Sequence, residues 1–383
     1  MIAIKNAKII LENSVLEDGV LLVEKDTIAE VGSAGNISIP ENCEIFDADG
    51  LYLGPGFVDI HVHGGNGYMF GSNPKEAAEY FLNYGVTTVL ATLYYDLGKE
   101  EFLTAVKKVK DEILKNGSQS SIAGFYMEGP YMNPKYGASP EKNKWKGEIK
   151  EKDYRDIVKE AAAFAKVWAV APERKGVEDF VRFAKKINPS AVISVGHSEA
   201  SPVEVRNLKK YGLCLETHCM NATGKPQPQY SGTKTCGPDE ACFLDDDMYA
   251  ELICDSEGIH VSEDLLRLIL KVKGKDRVIL ISDSFVSNEK APESLSHIKD
   301  LQFDSGGNLC GSKLTLNVAC RNMIKHTGCS INDVFLMASR NPAKLIGMDN
   351  EIGTIKEGKS ANLVLIDDEF NVKKVMFNGQ FIK

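Results

Sequence analysis

Two histidines one residue apart, His61 and His63, close the short apolar run Gly56-Phe57-Val58-Asp59-Ile60 and open onto Gly64-Gly65. In a strand, side chains two apart share a face, so both imidazoles point the same way at its C-terminal end. That arrangement aims two nitrogen ligands at one metal. The chain holds only seven histidines. Three others, His197, His218 and His260, also sit in polar, Gly- or Asn-containing stretches that follow apolar runs. Two carboxylates occupy similar positions: Glu128 in Tyr126-Met127-Glu128-Gly129-Pro130, and Asp283 in Ile281-Ser282-Asp283-Ser284.

Each residue alone has a plainer explanation. A lone His-x-His is more often incidental than metal-binding, and Glu128 before Gly-Pro fits a turn carboxylate. Asp283 after an apolar strand fits a helix cap, and His197 and His218 fit core histidines bonded to backbone. The coincidence decides for a metal site, because His61, His63, Glu128, His197, His218 and Asp283 stand at five strand ends. Imidazoles and carboxylates select borderline divalent ions, Zn²⁺ foremost, with Fe²⁺, Mn²⁺ or Co²⁺ as substitutes. Such an ion lowers the pKa of a water and polarises a carbonyl. Asp283 is then placed to take the water's proton and return it to the leaving group, which suits amide hydrolysis.

The elements that must position these residues follow from periodicity. Candidate strands are Phe57–His61, Val86–Leu93, Ile122–Glu128, Lys166–Ala171, Ala191–Gly196, Cys214–His218, Ala250–Cys254 and Arg277–Ser282. Charged segments of helical period lie between them, at Glu101–Leu114, Lys152–Ala165, Val177–Ile187 and Asp264–Val272. Eight short apolar strands alternating with helices predict an α/β fold, a (β/α)₈ TIM-like barrel whose strand C-termini converge on one mouth. An open doubly wound sheet is the alternative; it fits less well, since no GxGxxG follows the first strand. The chain ends differ. Ala3 to Ile10, Val20 to Val23 and Thr27 to Val31 read as strands, with Lys25-Asp26 as a turn. Ala361 to Ile366 and Val372 to Phe377 read likewise, the latter leading into the hairpin dipeptide Asn378-Gly379. Neither end is long enough to bury a core alone. Residues 1–54 and 350–383 are therefore expected to form one small β-sandwich domain, with the barrel over 55–349.

Bulk composition sets the class. The 383 residues are 43% apolar and 26% charged, as expected of a soluble globular protein. Lys plus Arg is 45 against 54 Asp plus Glu, a net charge of −9. That balance disfavours nucleic acid or an anionic membrane as partner but allows a small anionic substrate. Nine cysteines without a CxxC pair predict reduced thiols in a cytosol; Cys214 and Cys219 are expected to pack in or beside a strand. There is no signal-peptide h-region and no apolar run of membrane-spanning length. A cytoplasmic location is expected.

The motifs resemble the N-acetylglucosamine-6-phosphate deacetylases of the amidohydrolase superfamily, nearly end to end. The resemblance runs through Pro55-Gly56-Phe57-Val58-Asp59-Ile60-His61-Val62-His63-Gly64, Gly85-Val86-Thr87-Thr88 and Glu128-Gly129-Pro130-Tyr131-Met132-Asn133-Pro134. It continues in Ala171-Pro172-Glu173, Gly196-His197-Ser198, Thr217-His218 with Asn221-Ala222, Gly258-Ile259-His260, Gly311-Ser312-Lys313-Leu314-Thr315 and Asn341-Pro342-Ala343-Lys344-Leu345-Ile346-Gly347. Gly353-Thr354-Ile355, Gly358-Lys359 and Ala361-Asn362-Leu363 match the return into the small β domain. The resemblance implies that Glu128, His197 and His218 hold the principal metal and that Asp283 is the catalytic acid/base. It implies a sugar contact from His260, Asn221 and Ala222, with Leu309 near the same pocket. Some members lack the first two histidines and use one metal; this chain keeps His61 and His63, so one or two ions per chain are allowed. A homodimer acting on a small amino-sugar substrate is implied as well.

Two departures stand out. Where the family often has a Gly-x-His reaching the substrate, this chain has Gly137-Ala138-Ser139, with Ser139 in the histidine's place. Where the family usually supplies an Arg for the 6-phosphate, Thr223 to Tyr230 has none. Lys225 or Lys234 remains as a point charge without the bidentate fork. The expected function is removal of acetyl from an N-acetylated amino sugar, N-acetylglucosamine 6-phosphate first. An amidohydrolase for an unphosphorylated or different N-acyl substrate is the alternative within enzymes, and a barrel scaffold that has lost its chemistry the alternative outside them.

Overall fold

A computed structural model describes residues 1–382. Its centre is a parallel eight-stranded sheet of Phe57–Val62, Val86–Tyr94, Ile122–Glu128, Ala165–Val170, Val192–Val195, Leu213–Glu216, Tyr249–Ile253 and Val278–Ile281, hydrogen-bonded in chain order. We number these barrel strands one to eight. The predicted strands match them within a residue or two. Strands buried on both faces need apolar side chains on both, and the first strand is buried along its whole length. The eighth strand returns to the first at the barrel mouth. There the Asp283 N–H donates to the His61 carbonyl at 2.9 Å and the His63 N–H to that of Ser284 at 2.9 Å. The Asp59 carboxylate accepts the Ser282 N–H at 3.3 Å.

The covering helices follow the 3.6-residue rule. Val177–Ile187 buries Val177, Phe180, Val181 and Ala184, with Glu178 and Asp179 in its first turn and Lys185 and Lys186 in its last. That is an apolar stripe with charges set against the helix dipole. Pro202–Lys209 starts where Ser201 and Glu204 form a reciprocal capping box.

Both chain ends meet in one second sheet. Ile2–Ile10 pairs with Val15–Glu24 and, in parallel, with Glu44–Asp47 and Tyr52–Pro55. Leu363–Ile366 then pairs antiparallel with Tyr52–Pro55, and Val372–Phe377 with Leu363–Ile366. Strand alternation makes this sheet serve two cores. Leu363 and Leu365 enter the terminal core with Ile4, Ile9 and Leu53, while Val364 and Ile366 enter the barrel core. Asn378 and Gly379 form the closing turn with positive φ at both positions (49° and 73°), as a two-residue hairpin requires. A short hairpin, Leu301–Phe303 with Leu309–Ser312, follows the eighth strand and joins the barrel mouth through Ser284 and Ser312. Among the described residues no helix is long and apolar enough to cross a membrane.

Candidate active site

Glu128, at the end of the third strand, is the centre on which the predicted ligands converge. Its Oε1 lies 2.7 Å from His197 Nε2 and 3.1 Å from His218 Nε2, and those two nitrogens are 3.1 Å apart. Its Oε2 lies 3.1 Å from His63 Nε2 and 3.5 Å from His61 Nε2. One carboxylate is thus shared by two donor triads, Glu128–His197–His218 and His61–His63–Glu128. Asp283 Oδ1 stands beside the second, 3.3 Å from His63 Nε2 and 3.7 Å from His61 Nε2. All six residues are buried.

Three of them hold unusual backbone. His197, His218 and Asp283 have φ of 44°, 30° and 45°, in the left-handed region that L side chains rarely adopt. Each turns the chain sharply at a strand end and aims its side chain at the mouth, a conformation typical of functional sites. A further layer of groups fixes the imidazoles. His61 Nδ1 lies 3.1 Å from Glu251 Oε2, and the ring stacks on Tyr126 at 4.3 Å. Tyr126 in turn donates to Glu251 at 3.2 Å and meets Thr217 Oγ1 at 2.8 Å. His218 Nδ1 lies 3.1 Å from the Asn221 carbonyl. A ring that donates from Nδ1 offers the lone pair of Nε2 to a metal.

The electrostatics of the centre are those of a cation site. Burial pushes the Glu128 carboxyl up, but the surrounding imidazoles outweigh it and hold it well below the usual range. Burial likewise opposes ionisation of Asp283, and His63 and His61 reverse this to hold it low. Burial lowers His63, yet its bonds to Asp283 and Glu128 lift it to about 9. His197 and His218 shift oppositely although both bond Glu128. Burial lowers each; for His197 burial prevails, with the charge of His218 adding to it, and for His218 the Glu128 bond and charge prevail. Two imidazoles whose Nε2 atoms are 3.1 Å apart do not both carry protons comfortably. Two lone pairs and a carboxylate oxygen aimed at one point fit a divalent ion, and so does the buried His61 Nε2, which closes no good hydrogen bond with Glu128 at 3.5 Å or Asp283 at 3.7 Å.

A cavity of about 210 Å³ opens over this cluster, lined by His63, Glu128, His197, His218 and Asp283 among others. Of the predicted substrate contacts, Asn221, Ala222 and Leu309 line it. Ser139 does not; its hydroxyl and N–H bond Asp304, while Gly137 and Ala138 take the wall. Gly137 is required there, because a Cβ would stand 2.5 Å from Tyr94 Oη and 2.8 Å from His197 Nδ1. His260 is outside the lining, with Nδ1 3.0 Å from Asp255 and Nε2 3.1 Å from the Gly311 carbonyl. The Lys225 ammonium pairs with Glu240, and neither Lys225 nor Lys234 reaches the cavity. Sequence reasoning missed Glu251 and Tyr126, which carry no spacing signal, and the lining residues Tyr94, Phe285 and Gly311.

The amidohydrolase family model matches residues 52–382. The chain is 26% identical to N-acetylgalactosamine-6-phosphate deacetylase of Escherichia coli O157:H7, covering 97% of each. It is 28% identical to N-acetylglucosamine-6-phosphate deacetylase of Bacillus subtilis strain 168, covering 98% of this chain and 96% of that one. Its fold is similar to the crystal structure of N-acetylglucosamine-6-phosphate deacetylase from Pasteurella multocida, with TM-score 0.86, 27% identity and 99% of each chain covered. The Thermotoga maritima enzyme of that name gives TM-score 0.82 at 28% identity, over 100% of this chain and 99% of that one. With a barrel mouth that gathers four histidines and two carboxylates, and a family match over most of its length, the chain belongs to the amidohydrolase family.

Proposed function

We propose that the protein is a metal-dependent deacetylase converting N-acetylglucosamine 6-phosphate to glucosamine 6-phosphate and acetate. The observation that carries this is Glu128 shared between two donor triads with Asp283 beside them. The names of its relatives supply the substrate class. Glu128, His197 and His218 would hold the principal ion, and His61 and His63 with the other Glu128 oxygen a second. Zinc suits this set, with iron, manganese or cobalt as substitutes. When bound, the ion supplies a Lewis acid that polarises a carbonyl and acidifies water. Asp283, held ionised by His63 and His61, takes the proton of the attacking water and returns it to the amine nitrogen as the C–N bond breaks. Asn221, Ala222 and Leu309 shape the wall against which the sugar lies. The same reading takes the protein as a cytoplasmic homodimer with a β domain of residues 1–54 and 350–383 and a barrel of 55–349.

The test is acetate release with metal analysis on the same sample. Asp283→Asn is expected to lower kcat by about 10²–10⁴-fold, the range of general acid–base catalysis, with metal content unchanged. Near wild-type turnover in that variant would sink the assignment. One observation favours a second reading: among the described residues no Lys or Arg lines the cavity. An unphosphorylated or differently linked N-acyl substrate would need none. Comparing kcat/KM for N-acetylglucosamine and N-acetylgalactosamine, each with and without the 6-phosphate, separates the two readings and fixes the epimer.

A further inference from the structure

Between the sixth barrel strand and its covering helix Pro238–Phe243 lies a second cluster of ligand-type residues, apart from the cavity. Thr217 faces the barrel interior, toward Ser194 and Tyr126. Its neighbour Glu216 faces the helix instead, so that Glu216, Cys219 and Asp239 each bring a ligand atom within 4.8 Å of the others. Cys242, three residues after Asp239 on the same helix, borders Glu216, and its thiol donates to the Tyr249 carbonyl at 3.7 Å. The four residues form two equally spaced pairs, Glu216-x-x-Cys219 and Asp239-x-x-Cys242. Glu216, Cys219 and Cys242 are fully buried and Asp239 is 5% exposed.

Among the described residues neither carboxylate oxygen of Glu216 closes a hydrogen bond of good geometry, and the polar groups within reach of it are the Cys219 and Cys242 thiols and the Asp239 carboxyl. Asp239 accepts the Met220 N–H at 2.6 Å and the Thr223 hydroxyl at 2.8 Å, one bond per oxygen, leaving lone pairs on both. Among the described residues no Lys, Arg or His makes an ion pair with Glu216 or Asp239. The nearby Lys273 ammonium donates to the carbonyls of Cys242 and Asp245. Two carboxylates without a counter-charge in an apolar interior are costly unless protons or a cation compensate them. Glu216, Cys219 and Asp239 supply three converging donors, and the Cys242 thiol beside Glu216 is the fourth that a closed tetrahedral site needs.

We propose that Glu216, Cys219, Asp239 and Cys242 bind a divalent ion of the zinc class, distinct from the centre at Glu128. Its place in the fold gives it a role. The loop between Glu216 and Thr223 turns through left-handed residues at His218, Met220 and Ala222, with φ of 30°, 64° and 52°. Asp239 already ties down two points of that loop. An ion bridging strand, loop and helix would lock the segment that presents His218 and the Asn221–Ala222 wall. This consequence rests on reading His218 as a metal ligand; the site itself does not.

Cobalt provides the test, because the six ligand-type residues of the Glu128 centre offer only nitrogen and oxygen, and the one thiol lining that cavity, Cys310, is removed in Cys310→Ser. A thiolate-to-cobalt charge-transfer absorption that persists in Cys310→Ser therefore reports the second site, and one lost in Cys310→Ser would overturn the proposal. Protein produced in zinc-depleted, cobalt-supplemented medium, so that the ion enters during folding, is expected to show this band with one thiolate-bound cobalt per chain. The band should persist in His197→Asn and disappear, with loss of one cobalt per chain, in Cys219→Ser and in the near-isosteric Glu216→Gln. Cobalt-containing wild type without the band would overturn the proposal and leave the cluster as carboxyls sharing protons. So would a band that survives Cys219→Ser, since the thiolate would then lie elsewhere. If the cysteine variant fails to fold, the wild-type spectrum and Glu216→Gln still decide.

Discussion

Glu251 sits in the seventh strand, fully buried, and lines no part of the cavity. One of its oxygens nevertheless meets His61 Nδ1, the Tyr126 hydroxyl and the His218 N–H, at 3.1, 3.2 and 3.3 Å. It therefore orients the His61 imidazole of one triad and holds the backbone that carries His218 of the other. Glu251→Gln keeps the shape, removes the charge and puts an amide where three groups now point. Metal affinity is expected to fall about 10–100-fold, the usual effect of losing an outer partner of a ligand. Titration with a competing chelator measures this, and unchanged affinity would remove Glu251 from the site. The residues that could be named from sequence were those whose type and position announced them. His61 and His63 share a strand face, and Glu128, His197, His218 and Asp283 each follow an apolar run. Glu251 had no such mark: it lies within Tyr249–Ile253 and meets His61 across 190 positions of sequence. Ser139 and Lys225 show the converse. They stand where the resembling family has a histidine and an arginine, and their polar atoms are engaged by Asp304 and Glu240.

At the scale of elements, the strands were legible because apolar runs on a barrel are bounded by the polar residues of its mouth. The loops beyond them were not. The hairpin Leu301–Phe303 with Leu309–Ser312 brings Leu309, Cys310 and Gly311 to the cavity, yet its sequence has only three or four residues per strand and no periodic signal. The loop after the seventh strand is organised by one carboxylate. Asp255 accepts the N–H groups of Ile259 at 2.9 Å and His260 at 2.8 Å, as well as His260 Nδ1 at 3.0 Å. Burial opposes its ionisation, but these bonds prevail and hold its pKa at about 2, against 3.8 for the free group. A depressed carboxylate stabilises the fold above its unfolded pKa and loses that contribution as pH falls through its folded one. Asp255→Asn is thus expected to cost on the order of 1–2 kcal/mol at neutral pH. The gap from wild type should narrow steadily as pH drops from about 5 toward 2. Urea melts across that range measure it, and a gap independent of pH would mean that the charge contributes nothing.

The molecule as a whole is closed by its ends, and Gly379 is where that closure is tightest. It has φ +73°, and a Cβ there would stand 1.8 Å from the Lys25 carbonyl oxygen and 2.8 Å from the carbonyl carbon. The last hairpin turn thus presses directly on the tight turn at Lys25-Asp26, two segments over 350 positions apart. Asn378-Gly379 announced the hairpin in sequence, but its seat on Lys25 depends on the Leu363–Ile366 strand joining Tyr52–Pro55. Gly379→Ala combines an unfavourable left-handed φ, about 1–2 kcal/mol, with a backbone collision. A loss of roughly 2–4 kcal/mol is expected. Because Val364 and Ile366 belong to the barrel core while Leu363 and Leu365 belong to the terminal core, the damage should not stay local. Both tryptophans, Trp145 and Trp168, lie in the barrel core, so their fluorescence reports the barrel alone. In Gly379→Ala the fluorescence midpoint is expected to fall together with the far-UV circular dichroism midpoint, with acetate release per folded molecule unchanged. If the circular dichroism lost a first phase while the tryptophans kept their wild-type midpoint, the terminal sheet would be an independent unit. The shared strand Leu363–Ile366 would then not couple the two cores.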